Sequence, residues 1–317
     1  MADISPLCRR IMDNVEKVIV GKRDVIRMML VSILCEGHVL FEDVPGVAKT
    51  MLARSMSKSI GLSFARVQGT PDLLPSDITG VSVFNQKTTE FEFVKGPVFN
   101  HIVLADEINR ATPRAQAALL EAMAERQVSV DGNTYTLNAP FIVMATQNPI
   151  EHEGTFPLPE AQLDRFLLRL AVGYPDRDAE WEVIRRRSAR GREDVELAQI
   201  CDAGTVLAMR ETIEAVEVSE PVGRYLVDVV RATRSLAGVE VGSSPRGALA
   251  LLLASRARAA LAGREFVLPD DIKALAVACL AHRLVLVPDL WLRGGRPEDL
   301  VGQCLDAVAV PVKNQDE

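Results

Sequence analysis

The 317-residue chain reads as an α/β protein, a parallel sheet flanked by helices and followed by an all-α region. The first observation behind this is a set of strand-like apolar runs near residues 38–42, 63–69, 101–106, 141–147 and 167–172, alternating with helical stretches. That alternation predicts parallel strands joined by helices packed on both faces. The second is a change of character after Gly173-Tyr174-Pro175-Asp176. Strand signals fade there, and amphipathic runs near 177–190, 203–213, 219–236, 246–262 and 269–280 take over. Length agrees with two domains of about 150 residues each, and the change of character places the division at residues 1–175 and 176–317.

Within the first part, Val25 to Leu34 has helical length and is expected to pack beneath the sheet. The run Val39-Leu40-Phe41 then feeds Val44-Pro45-Gly46-Val47-Ala48-Lys49-Thr50, with a helix expected from Met51. A strand, a glycine-containing loop and a Lys-Thr pair build a phosphate cradle. Backbone N–H groups face the phosphates, the lysine reaches the outer ones, the hydroxyl holds Mg²⁺ and the helix N-terminus adds its dipole. The full pattern G-x-x-x-x-G-K-[ST] asks for glycine at Asp43 and Ala48. Ala48 is a small change provided it keeps φ below zero, and Asp43 gives up a permissive backbone position. A plain strand-turn-helix junction is the competing reading.

The second chemical segment is Ile102-Val103-Leu104-Ala105-Asp106-Glu107, an apolar run that delivers two acids at a strand's C-terminal edge. Asp106 is placed to hold hydrated Mg²⁺ opposite Thr50, and Glu107 to polarise the water attacking a γ-phosphate. An acidic N-cap for the next helix is the alternative. Phe141 to Thr146 is a third buried run, and Gln147-Asn148-Pro149 puts an amide at its end, suited to orienting that water or to forming a turn. Leu158 to Phe166 gives a short helix ending in Arg165, which fits stabilisation of a transferring phosphoryl group or a salt bridge with Asp164 or Glu160.

Two stretches alternate apolar and polar residues about polar tips and read as hairpins: Phe84 to Val94, and Val128 to Leu137 around Asp131-Gly132. Asp176, and Pro269-Asp270-Asp271, are helix-start signals. The composition of 48% hydrophobic, 25% charged and 5% aromatic residues excludes a disordered chain. No run reaches the roughly 18 apolar residues of a membrane span, and Met1-Ala2-Asp3-Ile4-Ser5 lacks a signal pattern, so a cytoplasmic protein without membrane insertion is expected. Five scattered cysteines without C-x-x-C spacing argue for reduced thiols. Glu151-His152-Glu153 has no second cluster to make a metal site. The net charge of −7 argues against nucleic-acid binding. The basic run from Arg185 to Arg192, interleaved with Glu180, Glu182 and Glu193, reads as a solvated helix end.

The ordered set Val-Pro-Gly-Val-Ala-Lys-Thr, Leu-Ala-Asp-Glu-Ile-Asn-Arg-Ala, Ala-Thr-Gln-Asn-Pro, Leu-Pro-Glu-Ala-Gln-Leu-Asp-Arg-Phe and Ser-Pro-Arg-Gly resembles the MoxR family of AAA+ ATPases over nearly the whole chain. The resemblance implies a P-loop NTPase core with two hairpin insertions, followed by an all-α lid. It implies ATP and Mg²⁺ as ligands. Pro45, Gly46, Val47, Ala48, Lys49, Thr50 and Met51 would form Walker A, Asp106 and Glu107 Walker B, and Asn148 sensor 1. Arg165 would be the arginine finger and Arg246, in Ser243-Ser244-Pro245-Arg246-Gly247, sensor 2. Val18, Ile19, Val20 and Gly21 resemble the family's adenine-side clamp, where residue spacing alone favours plain core.

The family likeness further implies a homo-oligomer, a hexameric ring, acting as a chaperone on a client protein, often beside a protein with a von Willebrand A domain. Hairpins of relatives face the pore or the substrate. Rival readings are a nucleic-acid-remodelling motor, which the acidic balance opposes, and a nucleotide-gated binding switch. Metal-chelatase-like insertion is a variant of the chaperone reading.

Overall fold

The structure, a computed structural model, describes residues 3–149, 154–191 and 195–311. The tripeptide Glu151-His152-Glu153, together with Arg192 and Glu193, lies outside the described residues. Contacts divide the chain into two compact units, one of residues 7–158 and 170–207, the other of residues 1–6, 159–169 and 208–317.

In the first unit the strands are β1 (His38–Glu42), β2 (Phe64–Gln68), β3 (Gly80–Asn85), β4 (Glu90–Lys95), β5 (Ile102–Asp106), β6 (Gln127–Val130), β7 (Asn133–Thr136) and β8 (Ile142–Gln147). β9 (Phe166–Leu170) spans the boundary, and the main sheet has the order β2-β5-β8-β1-β9. Pairing of β2 with β5, β5 with β8 and β8 with β1 is parallel, as the alternation of runs and helices predicts. Apart from their last residues, β1, β5 and β8 are buried along their length, which explains why they read as continuous apolar runs rather than alternating ones. Register brings Glu42 opposite Gln147 and Gln68 opposite Asp106, so the polar residues collect at one sheet edge.

Two antiparallel hairpins stand beside the sheet. β3 and β4 pair from Gly80↔Lys95 to Asn85↔Glu90, and β6 and β7 pair around Asp131 and Gly132, both at positive φ as a two-residue hairpin turn requires. Phe93 stacks on Tyr135 at 4.3 Å between centroids and meets Phe99 edge-on at 5.6 Å, tying the hairpins together. Val81, Val83, Phe84, Phe91 and Val94 of the first hairpin remain exposed. Buried His38 fastens the sheet to the Pro113–Glu125 helix: its Nδ1 accepts from Val143 N at 2.9 Å, and its Nε2 lies 3.2 Å from Met123 O. Burial pushes its pKa down to about 4.

The second unit is mainly helical, with helices Glu220–Ser235, Pro245–Leu261, Pro269–Leu280 and Pro297–Ala307 around a core of Tyr225, Val229, Leu251, Ile272, Leu275 and Val301. Sequence periodicity missed the last helix, and also Ser5–Glu16 at the start of the chain. It also missed a short antiparallel pair, Val239–Val241 with Val285–Leu286, whose two or three residues are too few to show alternation. Asp271 is fully buried and does more than start a helix. It accepts from Leu268 N at 2.9 Å and from the Arg264 guanidinium at 2.7 Å on both oxygens, with Arg258 as a further partner. No helix among the described residues is long and apolar enough to cross a membrane. No disulfide joins the five cysteines.

Candidate active site

The C-terminal edge of the sheet carries three of the predicted segments. After β1 the chain turns through Asp43–Ala48 into the Lys49–Ser59 helix. Gly46 has φ +82°, which only glycine adopts without strain. Ala48 also lies in the left-handed region, at φ +63°, contrary to the expectation that it would keep φ below zero. The loop needs a left-handed residue just before the helix, and here alanine supplies it at a steric cost.

Asp43 has a role that the missing glycine conceals. Its side chain is buried and accepts from its neighbour Val44 N at 2.8 Å, from Val172 N at 2.6 Å and from Gly173 N at 2.7 Å. The carboxylate thus clasps the loop to the segment that follows β9. Asp43 is not among the residues of positive φ, so a permissive backbone is not needed there. The Lys49 ammonium donates to Asp43 O at 2.9 Å and Val44 O at 3.2 Å, which curls it back over the loop. Burial lowers its pKa, and the nearby carboxylates of Asp43, Asp106 and Glu107 oppose that shift.

Asp106 and Glu107 end β5 as predicted. Thr50 Oγ1 lies 3.5 Å from Asp106 Oδ2, and Thr146 Oγ1 donates to Asp106 Oδ1 at 2.7 Å. The same hydroxyl accepts the N–H of Glu107 at 2.8 Å, so one threonine aligns both acids. Glu107 sits at φ +54°, an uncommon conformation for a non-glycine residue and one that clusters at functional sites. Gln68 Nε2 donates to Glu107 Oε2 at 3.0 Å, and Arg66 donates to Asp106 Oδ2 at 3.0 Å through Nε and 2.6 Å through Nη2. Gly69 follows, and a Cβ there would collide with the Glu107 carbonyl, so only glycine lets the end of β2 approach so closely. Asn148, just beyond β8, is buried at 9% exposure. Thr50 and Asp106 together offer a hydroxyl and a carboxylate, the hard oxygen donors that suit hydrated Mg²⁺.

Val18, Ile19, Val20, Gly46, Val47, Ala48 and Met51 line one cavity of about 510 Å³, within the range of small-molecule sites. Gly21 and Pro45 do not line it, nor do Lys49 and Thr50. Its far wall is the Arg177–Arg190 helix, through Val183, Arg186, Arg187 and Arg190. That helix is therefore more than a solvated end. Arg186 pairs with Glu182 at 2.7 Å, as the charge pattern anticipates, and also caps the Glu16 and Lys17 carbonyls at 2.8 and 3.2 Å.

The two predicted arginines belong to the other unit. Arg165 is half-buried between the short helix Glu160–Leu163 and β9. Arg246 is in the first turn of Pro245–Leu261, whose N-cap Ser244 accepts the Arg246 N–H at 3.2 Å. Its guanidinium is largely exposed and lies 3.5 Å from Asp164 Oδ2. Asp164 is held more tightly by Arg283, through Nε at 2.8 Å, and receives the Ser244 hydroxyl at 3.3 Å.

Sequence reasoning overlooked Arg66, Gln68, Thr146 and Arg283. Thr146 and Gln68 carried a usable signal, a polar residue ending an apolar strand, whereas Arg283 is 119 residues from Asp164 and carried none.

Residues 38–168 match the model of the "ATPase family associated with various cellular activities (AAA)", and residues 231–303 that of the "AAA lid domain". The chain is 48% identical to the uncharacterized protein YeaC of Bacillus subtilis, over 98% of this chain and 97% of that one. It is 42% identical to the chaperone MoxR1 of Mycobacterium tuberculosis, over 99% of this chain and 84% of that one. The crystal structure of a candidate ATPase from Cytophaga hutchinsonii superposes with a TM-score of 0.91 at 39% identity, covering 97% of this chain and 96% of its own.

Proposed function

Because the chain belongs to the MoxR family of AAA+ ATPases, we propose that it hydrolyses ATP with Mg²⁺ and couples turnover to remodelling or maturation of a partner protein. The observation that carries this reading is the meeting of Lys49, Thr50, Asp106, Glu107 and Asn148 at the C-terminal edge of one parallel sheet, beside a cavity of about 510 Å³. Ligands of open α/β sheets bind at that edge.

In the proposed reaction the N–H groups of Gly46 to Thr50 and the Lys49–Ser59 helix N-terminus receive the phosphates, and the Lys49 ammonium turns from its loop carbonyls to the outer oxygens. Thr50 and Asp106 would hold Mg²⁺, which when bound supplies charge neutralisation on the phosphates. Glu107 polarises the attacking water and Asn148 orients it. Val18, Ile19, Val20 and Gly21 clamp the adenine side, with Pro45, Val47, Ala48 and Met51 completing the cradle. Arg165 from a neighbouring subunit, and Arg246, stabilise the charge that develops on the transferring phosphoryl group.

A cytoplasmic hexameric ring with a client protein, and a von Willebrand A domain partner, complete the proposal. The chaperone naming of a relative of nearly full length supports the client role over a nucleic-acid motor. The test is Mg²⁺-dependent ATP turnover per subunit against protein concentration. A rise with concentration is expected, because a site shared between subunits gains activity as they assemble. Flat turnover removes Arg165 from the site, and absence of turnover at every concentration overturns the ATPase reading.

A further inference from the structure

We propose that Arg283 is a positioning residue for Arg165, through a clamp on the Asp164-Arg165-Phe166 backbone. The proposal rests on the reading of Arg165 as the arginine that completes an ATP site. Arg283 grips both residues that flank Arg165. It donates to the Asp164 carboxylate at 2.8 Å through Nε, to the Asp164 carbonyl at 3.2 Å and to the Phe166 carbonyl at 2.6 Å through Nη2. Its remaining nitrogen, Nη1, binds the Cys279 carbonyl and lies 2.7 Å from His282 Nε2, which in turn meets Phe166 O at 3.0 Å.

Burial makes this clamp stiff. The Arg283 side chain is 3% exposed, whereas that of Arg246, on the same carboxylate, is 62% exposed. The glycine of the Ser-Pro-Arg-Gly motif sits against it: a Cβ at Gly247 would collide with Ser243 Oγ and lie tightly, at 3.1 Å, against Arg283 Cδ. Arg165 thus projects from a segment whose neighbours on both sides are fastened to one rigid guanidinium, and the same carboxylate receives Ser244 and Arg246. A planar fork can serve these acceptors together, whereas an ammonium is a point donor. The effect of losing it is on placement, and misplacement of about 1 Å costs a catalytic group up to about 10²-fold.

The test is a double-mutant cycle on the full-length protein, read as kcat, KM for ATP, binding of a fluorescent ATP analogue and Tm. Arg283→Lys is expected to lower kcat about 10–10²-fold, with KM and analogue affinity within about twofold. In an Arg165→Ala background, followed by single-turnover measurement, the same change is expected to cost nothing further. An equal loss in both backgrounds, or normal kcat in Arg283→Lys, overturns the proposal. Normal turnover in Arg165→Ala alone overturns the finger reading and this proposal with it, so the two failures are told apart. If Arg283→Lys does not fold, Asp164→Asn, which keeps the shape of the clamp and removes its charge, carries the same cycle.

Discussion

Asp43 and Asp164 each fasten a segment proposed to handle phosphate charge, and they do it with opposite kinds of partner. Asp43 is satisfied by the N–H groups of Val44, Val172 and Gly173. Asp164 is satisfied by side chains, the buried Arg283, the exposed Arg246 and the Ser244 hydroxyl. Backbone donors cannot swing away, so the phosphate loop is set once, on folding. Side-chain donors can exchange partners, and Arg246 is at the long end of hydrogen-bond reach. The sheet edge is built as a fixed receptor, and the arginine cluster as one held firmly by buried Arg283 and adjustable at exposed Arg246.

The largest expected effect tests the arginine cluster. Arg165→Ala should leave ATP binding nearly intact while cutting turnover by about 10³-fold or more, measured as kcat beside the affinity for an ATP analogue. Normal turnover would leave Asp164 and Arg283 as structural groups alone. Next is acid, which asks whether both units share one weakness. His38 is buried with its pKa pushed to about 4, and burial beside Arg283 puts His282 well below its usual value. Both histidines bind a proton in the unfolded chain before they do in the folded one, so their contribution is complete above about pH 6.5 and falls as the pH drops below it, for His38 down to about pH 4. For His38 this amounts to about 3 kcal/mol across the window. The Tm should therefore decline between pH 6.5 and 5, where carboxylates still carry their charge; a level Tm there would contradict the buried neutral imidazoles.

Asp43→Ala comes next and addresses the fixed side. It strands the Val172 and Gly173 N–H groups, at a cost of about 2 kcal/mol in unfolding free energy. It should also weaken nucleotide binding, because Val172 and Gly173 line the same cavity as Gly46 and Ala48. A variant of unchanged stability and affinity would show that the clasp is incidental.

The same contrast decides what could be read from the chain alone. The strands β1, β5 and β8, and with them Lys49, Thr50, Asp106, Glu107 and Asn148, are announced by contiguous apolar runs with polar ends, because a buried parallel strand and its loop are local in sequence. The helices of the second part are equally local, and the run at 177–190 coincides with Arg177–Arg190. What stayed hidden depends on partners far apart: Asp43 with Val172, Arg283 with Asp164, Gln68 with Glu107. Residue type marked Asp43 only as a lost glycine, because its value lies in acceptors that face a segment 129 residues away. Arg186, Arg187 and Arg190 likewise looked like a solvated run until packing turned them toward a cavity.

The smallest effect is the most direct probe of a fixed loop. At φ +63° the Ala48 methyl crowds the backbone, and a left-handed conformation costs an L-residue about 1–2 kcal/mol. Glycine removes that crowding but gives the unfolded chain more freedom, which returns about 0.5–1 kcal/mol. Ala48→Gly should therefore stabilise the protein by up to about 1 kcal/mol in a denaturant midpoint at unchanged slope. If the Asp43 clasp imposes the strain, the gain should shrink in an Asp43→Ala background, where the loop is free to relax Ala48 toward negative φ. Equal gains in both backgrounds would mean that the strain is local to the start of the helix and that the clasp does not set the loop.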